Sequence, residues 1–491
     1  MTEQAVPAPE NRPGFLEPGL VLGDRFVATS IGGEMEHFNP ATGRVNKAFP
    51  VATLDEVDEA VSAARAAFEE WRRWTPDARR AALLRLADIM VERRREIGVI
   101  AALESGTIYN EFVAAYTADW FRYYAGWADK LTGESINPYP FRGLDFTVPE
   151  PVGVVALFVA SNGPIGFFGM AGAPALAAGC TLVVKPPELG PFSSVSFARW
   201  CLEAGIPPGV VNVVGGGPEV SQALVRHPGV DKISFTGSTQ TGRRLQEAAA
   251  QNVKPLVMEL GGKSANIVFA DADLDAVIPG AARFINSAGQ GCSMPTRLLV
   301  QRPRYDRAIE EVARIASGVV AGDPFTPGVT MGPVISESSA RRITGLVSDA
   351  KESGAARVHQ GGGRIGGELA NGYFVEPTLL VDVDNAAPIA QTEIFGPVLC
   401  VIPFDDEDEA IALANGTGFG LVAYAHTQDM RRARRLIDSL RAGSVHINSS
   451  GPGPVSPASP FGGVKDSGYG RQGSRLGIEE FLSYKNVYLN I

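Results

Sequence analysis

The residues of this chain that could do chemistry stand at the ends of apolar runs. Cys292 lies in GQGCSMP (289–295) among small neighbours, whereas Cys180, Cys201 and Cys400 sit in apolar runs and read as inert. A thiol so placed is either a nucleophile or a small core residue. None of His37, His227, His359, His426 and His446 stands in a recognisable motif with it, which disfavours a cysteine–histidine dyad. Asn162, in ASNGPIG, follows the apolar run 152–160, and its amide can donate to a developing oxyanion or simply form a turn before Gly-Pro. Glu259, in MELGGKS, closes another apolar run; a buried carboxylate there has a raised pKa and acts as a base, or it caps the next turn.

A second group suits a nucleotide. Lys185 and Glu188 leave the run TLVVK (181–185), offering a charged donor and a bidentate acceptor for ribose hydroxyls, or else a surface ion pair. In FTGSTQTG (235–242), Gly237 and Ser238 sit at a turn whose following helix could face a phosphate with its N–H groups, or merely be capped. Gly215 to Val220 only half-matches GxGxxG and reads as a turn. There is no HExxH, acidic calcium loop or Cys/His cluster, so no metal is expected.

The elements that must position these residues follow from pattern. Thr53-Leu54-Asp55-Glu56 is a capping box ahead of a helix with Val57, Ala60, Val61, Ala64, Phe68 and Trp71 on one face, and Thr75-Pro76 starts another. These two helices open the ordered part. Strand runs at 152–160, 181–185, 210–214, 232–235 and 255–260, about 25 residues apart with helical segments between, predict a parallel doubly wound sheet. Such sheets bind ligands at the carboxyl ends of their strands. A second α/β series begins at 265–275 and continues to about residue 440. The segments 131–148 and 481–491 fit neither series and read as edge strands used in association or as a surface hairpin.

At 491 residues and 45% hydrophobic composition, the chain predicts two or three globular domains. Its net charge of -10 speaks against nucleic acid or an anionic membrane as partner. The Pro-rich start lacks the basic and apolar regions of a signal peptide, and glycines and prolines interrupt the most apolar region, 151–184. Four widely spaced cysteines without CxxC suit a reducing cytoplasm.

Taken in order, Asn162, Lys185 with Glu188, FTGS (235–238), ELGGK (259–263), GQGC (289–292), EIFGP (393–397) and PFGGVKDSG (460–468) resemble the NAD(P)-dependent aldehyde dehydrogenase superfamily, from about residue 20 to the end. The resemblance implies a Rossmann-like doubly wound cofactor domain, a second α/β catalytic domain and a small β oligomerisation element. It implies a flexible tail over 1–18, an NAD-binding domain over 19–130 and 149–258, a catalytic domain over 259–440, an active-site and return segment over 441–474, and an oligomerisation element from 131–148 with 475–491. A homodimer or homotetramer follows from the same likeness.

The resemblance further implies that Cys292 attacks an aldehyde, that Asn162 and the Cys292 backbone N–H hold the oxyanion, and that Glu259 activates the water that hydrolyses the thioester. Lys185 and Glu188 would hold the adenosine ribose, Gly237 and Ser238 the pyrophosphate, and Glu393 with Phe395 the nicotinamide riboside. Glu188 argues for NAD over NADP, with dual use left open. A CoA-acylating relative and a non-catalytic binding protein on the same fold are the alternatives; Glu259 speaks against the first, and Cys292, Asn162 and Glu259 together against the second. Two departures stand out. Ser161 and Gly163 replace the usual bulky neighbours of the Asn, which predicts room for bulky hydrophobic or aromatic aldehydes. Ala171 and Gln472 replace a Lys and a Glu that serve proton movement in many members, which predicts altered deacylation.

Overall fold

Thr53 and Glu56 close the reciprocal cap that their spacing predicts, and the helix Leu54–Trp71 buries the face read from the sequence. Thr75 caps Pro76–Glu92 by accepting the Ala78 N–H. The computed structural model describes residues 12, 14–140, 142–449 and 455–490. Residues 1–11 and 13 of the expected tail lie outside the described residues.

Eight strands form the first sheet, in the order Gly468–Tyr469, Leu256–Glu259, Lys232–Thr236, Val154–Phe158, Thr181–Lys185, Val211–Val213, Leu20–Leu22, Arg25–Val27. The five from Leu256–Glu259 to Val211–Val213 are parallel. Their continuous apolar runs reflect burial on both faces. Val154, Ala156 and Phe158 pack on one side with Val57, Ala60 and Val61, while Val155 and Leu157 pack on the other with Leu83, Leu86 and Ile89. Register then fixes the upper edge: Phe158 pairs with Lys185 and Phe235, and Thr236 with Glu259. The sequence order reverses at Val154–Phe158, so the carboxyl ends there frame a switch-point crevice.

The second sheet has seven strands, ordered Arg357–Gln360, Thr378–Val381, Val398–Phe404, Arg297–Gln301, Ala265–Val268, Val422–His426, Ser444–Ile447, over its own apolar core. A third, antiparallel sheet joins Leu482–Leu489, Leu144–Pro151 and Ser135–Ile136, with Leu482 opposite Pro151 and Leu489 opposite Leu144. The two segments that fit neither series thus pair with each other, and among the described residues the flank of Leu482–Leu489 away from Leu144–Pro151 is a free edge.

Two expectations need correction. The described chain opens with four short strands, Leu20–Leu22, Arg25–Val27, Glu34–Phe38 and Val45–Pro50, rather than with helices. They are hairpin strands of three to six residues, too short to show a period. The run 152–160 forms a strand only over Val154–Phe158, whereas the second α/β series does open at 265–275, with the strand Ala265–Val268 followed by a helix capped by Asp273. Among the described residues no helix is long and apolar enough to cross a membrane, and no three His, Cys, Asp or Glu gather as a metal site.

Candidate active site

Asn162, Lys185, Glu188, Gly237, Ser238, Glu259, Cys292, Glu393 and Phe395 all line one cavity of about 1020 Å³. The first sheet supplies six of them from its strand ends. Cys292, Glu393 and Phe395 come from connections of the second sheet.

Cys292 follows a turn of unusual backbone. The helix Leu274–Ala281 tightens into a short segment that breaks at Asn286, after which Ser287, Ala288 and Gly289 take φ of 47°, 51° and 73°. Only glycine fits at 289, because a Cβ there would lie 2.0 Å from the Gly396 carbonyl oxygen. The thiol is half-buried. Burial, then the Glu393 and Glu259 carboxylates, push its pKa up to about 12, against the opposing pull of the Ser293 and Cys292 N–H groups.

Asn162 sits just beyond Val154–Phe158, where Pro164 begins a short helix. Its Nδ2 donates to the Gln290 carbonyl at 3.1 Å, which ties the amide to the segment carrying Cys292. A Cβ built on the neighbouring Gly163 meets nothing within 4 Å. Open space therefore begins beside the amide.

Glu259 ends its strand with 3% exposure, and neither carboxylate oxygen has a hydrogen-bond partner. Burial drives its pKa well above the usual range; Arg471 opposes this and Glu480 adds to it. Gly262 follows because nothing larger fits, a Cβ there lying 2.4 Å from the Cys292 carbonyl oxygen, and a Cβ at Gly261 would displace the Glu393 carboxylate, whose Oε2 would lie 2.4 Å away. Gln472 is buried nearby in sequence to Arg471, and both ends of its amide lack partners. Ala171 is buried in the core and brings no charge.

The opposite end of the cavity suits a dinucleotide. Lys185 is buried, its pKa lowered by that burial, and its Nζ meets Glu188 Oε1 at 2.9 Å. Ser238 caps Thr239–Ala250, accepting the Thr241 N–H at 3.2 Å, and the Gly237 N–H is taken by the Glu259 carbonyl at 3.0 Å. A helix N-terminus at a strand end favours a phosphate. Glu393 Oε1 accepts the Gly262 N–H at 3.0 Å, and burial raises its pKa to about 7 despite that bond, Lys263 and Arg342. Phe395 presents its ring from a left-handed backbone, φ 50°.

Three contributors escaped the sequence reading. Arg342 lines the cavity and donates to the Ile394 carbonyl at 2.6 Å, bracing the segment between Glu393 and Phe395. Gln290, two residues before Cys292, is buried and fully engaged. Glu104 is fully buried beneath the loop after Lys185, where its Oε1 accepts the Phe192 and Ser193 N–H groups that start Phe192–Glu203. Each acts through long-range contacts that leave no local motif.

A family model described as the aldehyde dehydrogenase family matches residues 26–487. The chain belongs to the aldehyde dehydrogenase family. It is an NAD(P)-dependent oxidoreductase acting on aldehydes. A solved aldehyde dehydrogenase from Bacillus cereus in complex with NAD+ is 37% identical, with a TM-score of 0.95 over 99% of this chain and 100% of that one. A betaine aldehyde dehydrogenase of Sinorhizobium fredii is 39% identical over 95% of this chain and 96% of its own length. A 3-succinoylsemialdehyde-pyridine dehydrogenase of a Pseudomonas species is also 39% identical, over 92% of this chain and 94% of its own length. Two aldehydes so unlike, at equal identity, mean that likeness alone does not choose the substrate.

Proposed function

We propose that this enzyme oxidises bulky hydrophobic or aromatic aldehydes to the carboxylic acids, with Cys292 as nucleophile, Asn162 as oxyanion donor and Glu259 as general base. The observation that carries the reading is the meeting of these three side chains in one cavity whose far end is lined by Lys185, Glu188, Gly237 and Ser238. Cys292, as thiolate, attacks the aldehyde carbon to give a thiohemiacetal. The Asn162 amide and the Cys292 backbone N–H stabilise its oxyanion, a donor of this kind being worth about 2.7–4 kcal/mol. NAD+, when bound, would supply a positive charge and the acceptor for the hydride whose loss leaves a thioester. Glu259, its pKa raised and its oxygens unengaged, then takes a proton from the water that releases the acid.

The substrate class rests on the space beside Asn162. Ser161 is small, Gly163 faces open space, and Phe167 lines the same cavity. Tyr116 stands beside this segment, its ring 3.8 Å from a Cβ built on Gly166, and Phe112 stacks on it with centroids 6.1 Å apart. The Phe167 ring beside a widened approach favours large, flat or apolar aldehydes. The pyridine-type aldehyde in the name of the Pseudomonas relative is of that kind. Glu188, exposed enough to face a ribose, supports NAD, because a 2′-phosphate would meet its charge. We also propose that the three-stranded sheet joins subunits through the free edge of Leu482–Leu489 in a homo-oligomer, which sizing of the purified protein checks.

The test is a panel of small aliphatic, long aliphatic and aromatic aldehydes with NAD or NADP, followed by NADH or NADPH absorbance, with and without CoA. Aromatic or long aldehydes should show the higher kcat/KM, without need of CoA, and Cys292→Ala should abolish turnover. A preference for acetaldehyde would overturn the substrate class, and turnover by Cys292→Ala the mechanism.

A further inference from the structure

An amide makes an oxyanion donor only if its nitrogen, not its oxygen, faces the site. The two ends of an Asn side chain are nearly the same shape, so packing alone selects weakly between them. Here the selection is electrostatic. The Gln290 carbonyl, an obligate acceptor, lies 3.1 Å from Asn162 Nδ2 and would repel Oδ1 in its place. It takes one N–H of the planar group and thereby fixes the direction of the other.

What holds that carbonyl still is the side chain of Gln290 itself. Its Oε1 accepts the Ile335 N–H at 2.8 Å, while Nε2 donates to the Ser287 carbonyl at 3.2 Å and the Pro333 carbonyl at 3.4 Å. The residue is 7% exposed. One amide thus spans the left-handed turn before Cys292 and the segment 333–335, and the peptide unit that follows it has little freedom to rotate.

We propose that Gln290 is a positioning residue of the oxyanion site, acting through its own carbonyl to orient the Asn162 amide. This rests on the role assigned above to Asn162. The structure thereby divides the oxyanion site between the donor and a separate element that keeps the donor aimed.

A double-mutant cycle in the full-length enzyme tests it. Gln290→Glu keeps the shape and the Ile335 contact but puts a second oxygen against the Ser287 and Pro333 carbonyls; Gln290→Asn, one methylene shorter, is the second variant should the first not fold. The readout is the single-turnover rate of NADH formation with the best aldehyde, beside thermal unfolding and the KM for NAD. In the wild-type background a fall of about 10–100-fold is expected, a part of the roughly 10²–10³ associated with loss of one oxyanion donor. In the Asn162→Ala background the same substitution should change the rate by less than about twofold, because the amide it orients is gone. Equal losses in both backgrounds would overturn the proposal and leave Gln290 as a brace for Cys292 alone. Wild-type enzyme that oxidises no aldehyde in the panel would instead remove the role of Asn162, and the proposal with it.

Discussion

Replacing Glu259 by Gln removes a charge while leaving the shape unchanged. The carboxylate is buried with no hydrogen bond to either oxygen, so the amide forfeits no contact, and the folded state loses a charge held away from water. Thermal stability should therefore hold or rise. Catalysis should suffer at one step only. Loss of a general base costs about 10²–10⁴ in rate, or about 3–5 kcal/mol at 1.36 kcal/mol per decade. Mixing enzyme, NAD and aldehyde rapidly should then give a burst of NADH close to one per site, followed by a steady rate lower by that factor. The ionised Glu259 also raises the Cys292 thiol, so at pH values where that carboxyl is charged the variant should react faster with iodoacetamide. A base acts in its ionised form, whose fraction grows as pH rises through the raised pKa. Wild-type hydrolysis should climb across that range and the variant's should not. Loss of the burst together with slower alkylation would refute the reasoning, since Glu259 would then be activating the thiol rather than water.

Gly163→Phe should narrow the approach. A Cβ built there meets nothing within 4 Å, so the ring enters open space. The kcat/KM for aromatic aldehydes should fall by about 10–200-fold, the range of hydrophobic-pocket discrimination, with acetaldehyde little changed; equal loss for both would show that Gly163 does not face the substrate. Glu104→Gln tests the buried carboxyl beneath the cofactor loop. Burial raises its pKa from 4.5 to about 7, so between those values the folded protein holds a proton that the unfolded chain releases, and stability falls as pH rises. The shift corresponds to about 3 kcal/mol, and denaturant unfolding of wild type against variant across pH 4.5 to 7 should show their difference growing by that amount.

The parts of the site that were legible in the sequence are those fixed by register. Lys185 and Glu259 close apolar runs, and parallel pairing of Thr236 with Glu259 and of Phe158 with Lys185 brings such ends to one edge. Each residue alone remained ambiguous, and only the whole ordered set singled out Cys292. Gln290, Arg342 and Glu104 were illegible because each works through partners tens of residues away, as with Gln290 and Ile335. Short edge strands such as Arg25–Val27 escaped for a different reason: three residues cannot display a period, and neighbouring strands decide their conformation. The break at Asn286 was hidden because ARFINSAG has the composition of a helix, while contacts with other segments set its backbone.

That break bears on which changes this region tolerates. Ser287 and Ala288 carry side chains on left-handed backbone, a conformation disfavoured by roughly 1–2 kcal/mol per residue. A β-branched residue at either position would add to that cost, although Ser287 is only half-buried and Ala288 is small. Ser293 and Met294, just beyond the nucleophile, lie outside the left-handed run and are half-buried as well. Tolerance along the segment therefore does not follow exposure: variation is admitted after Cys292 more readily than before it. In a collection of selected variants, aldehyde preference should diversify from the downstream side, while the upstream turn stays fixed by backbone shape.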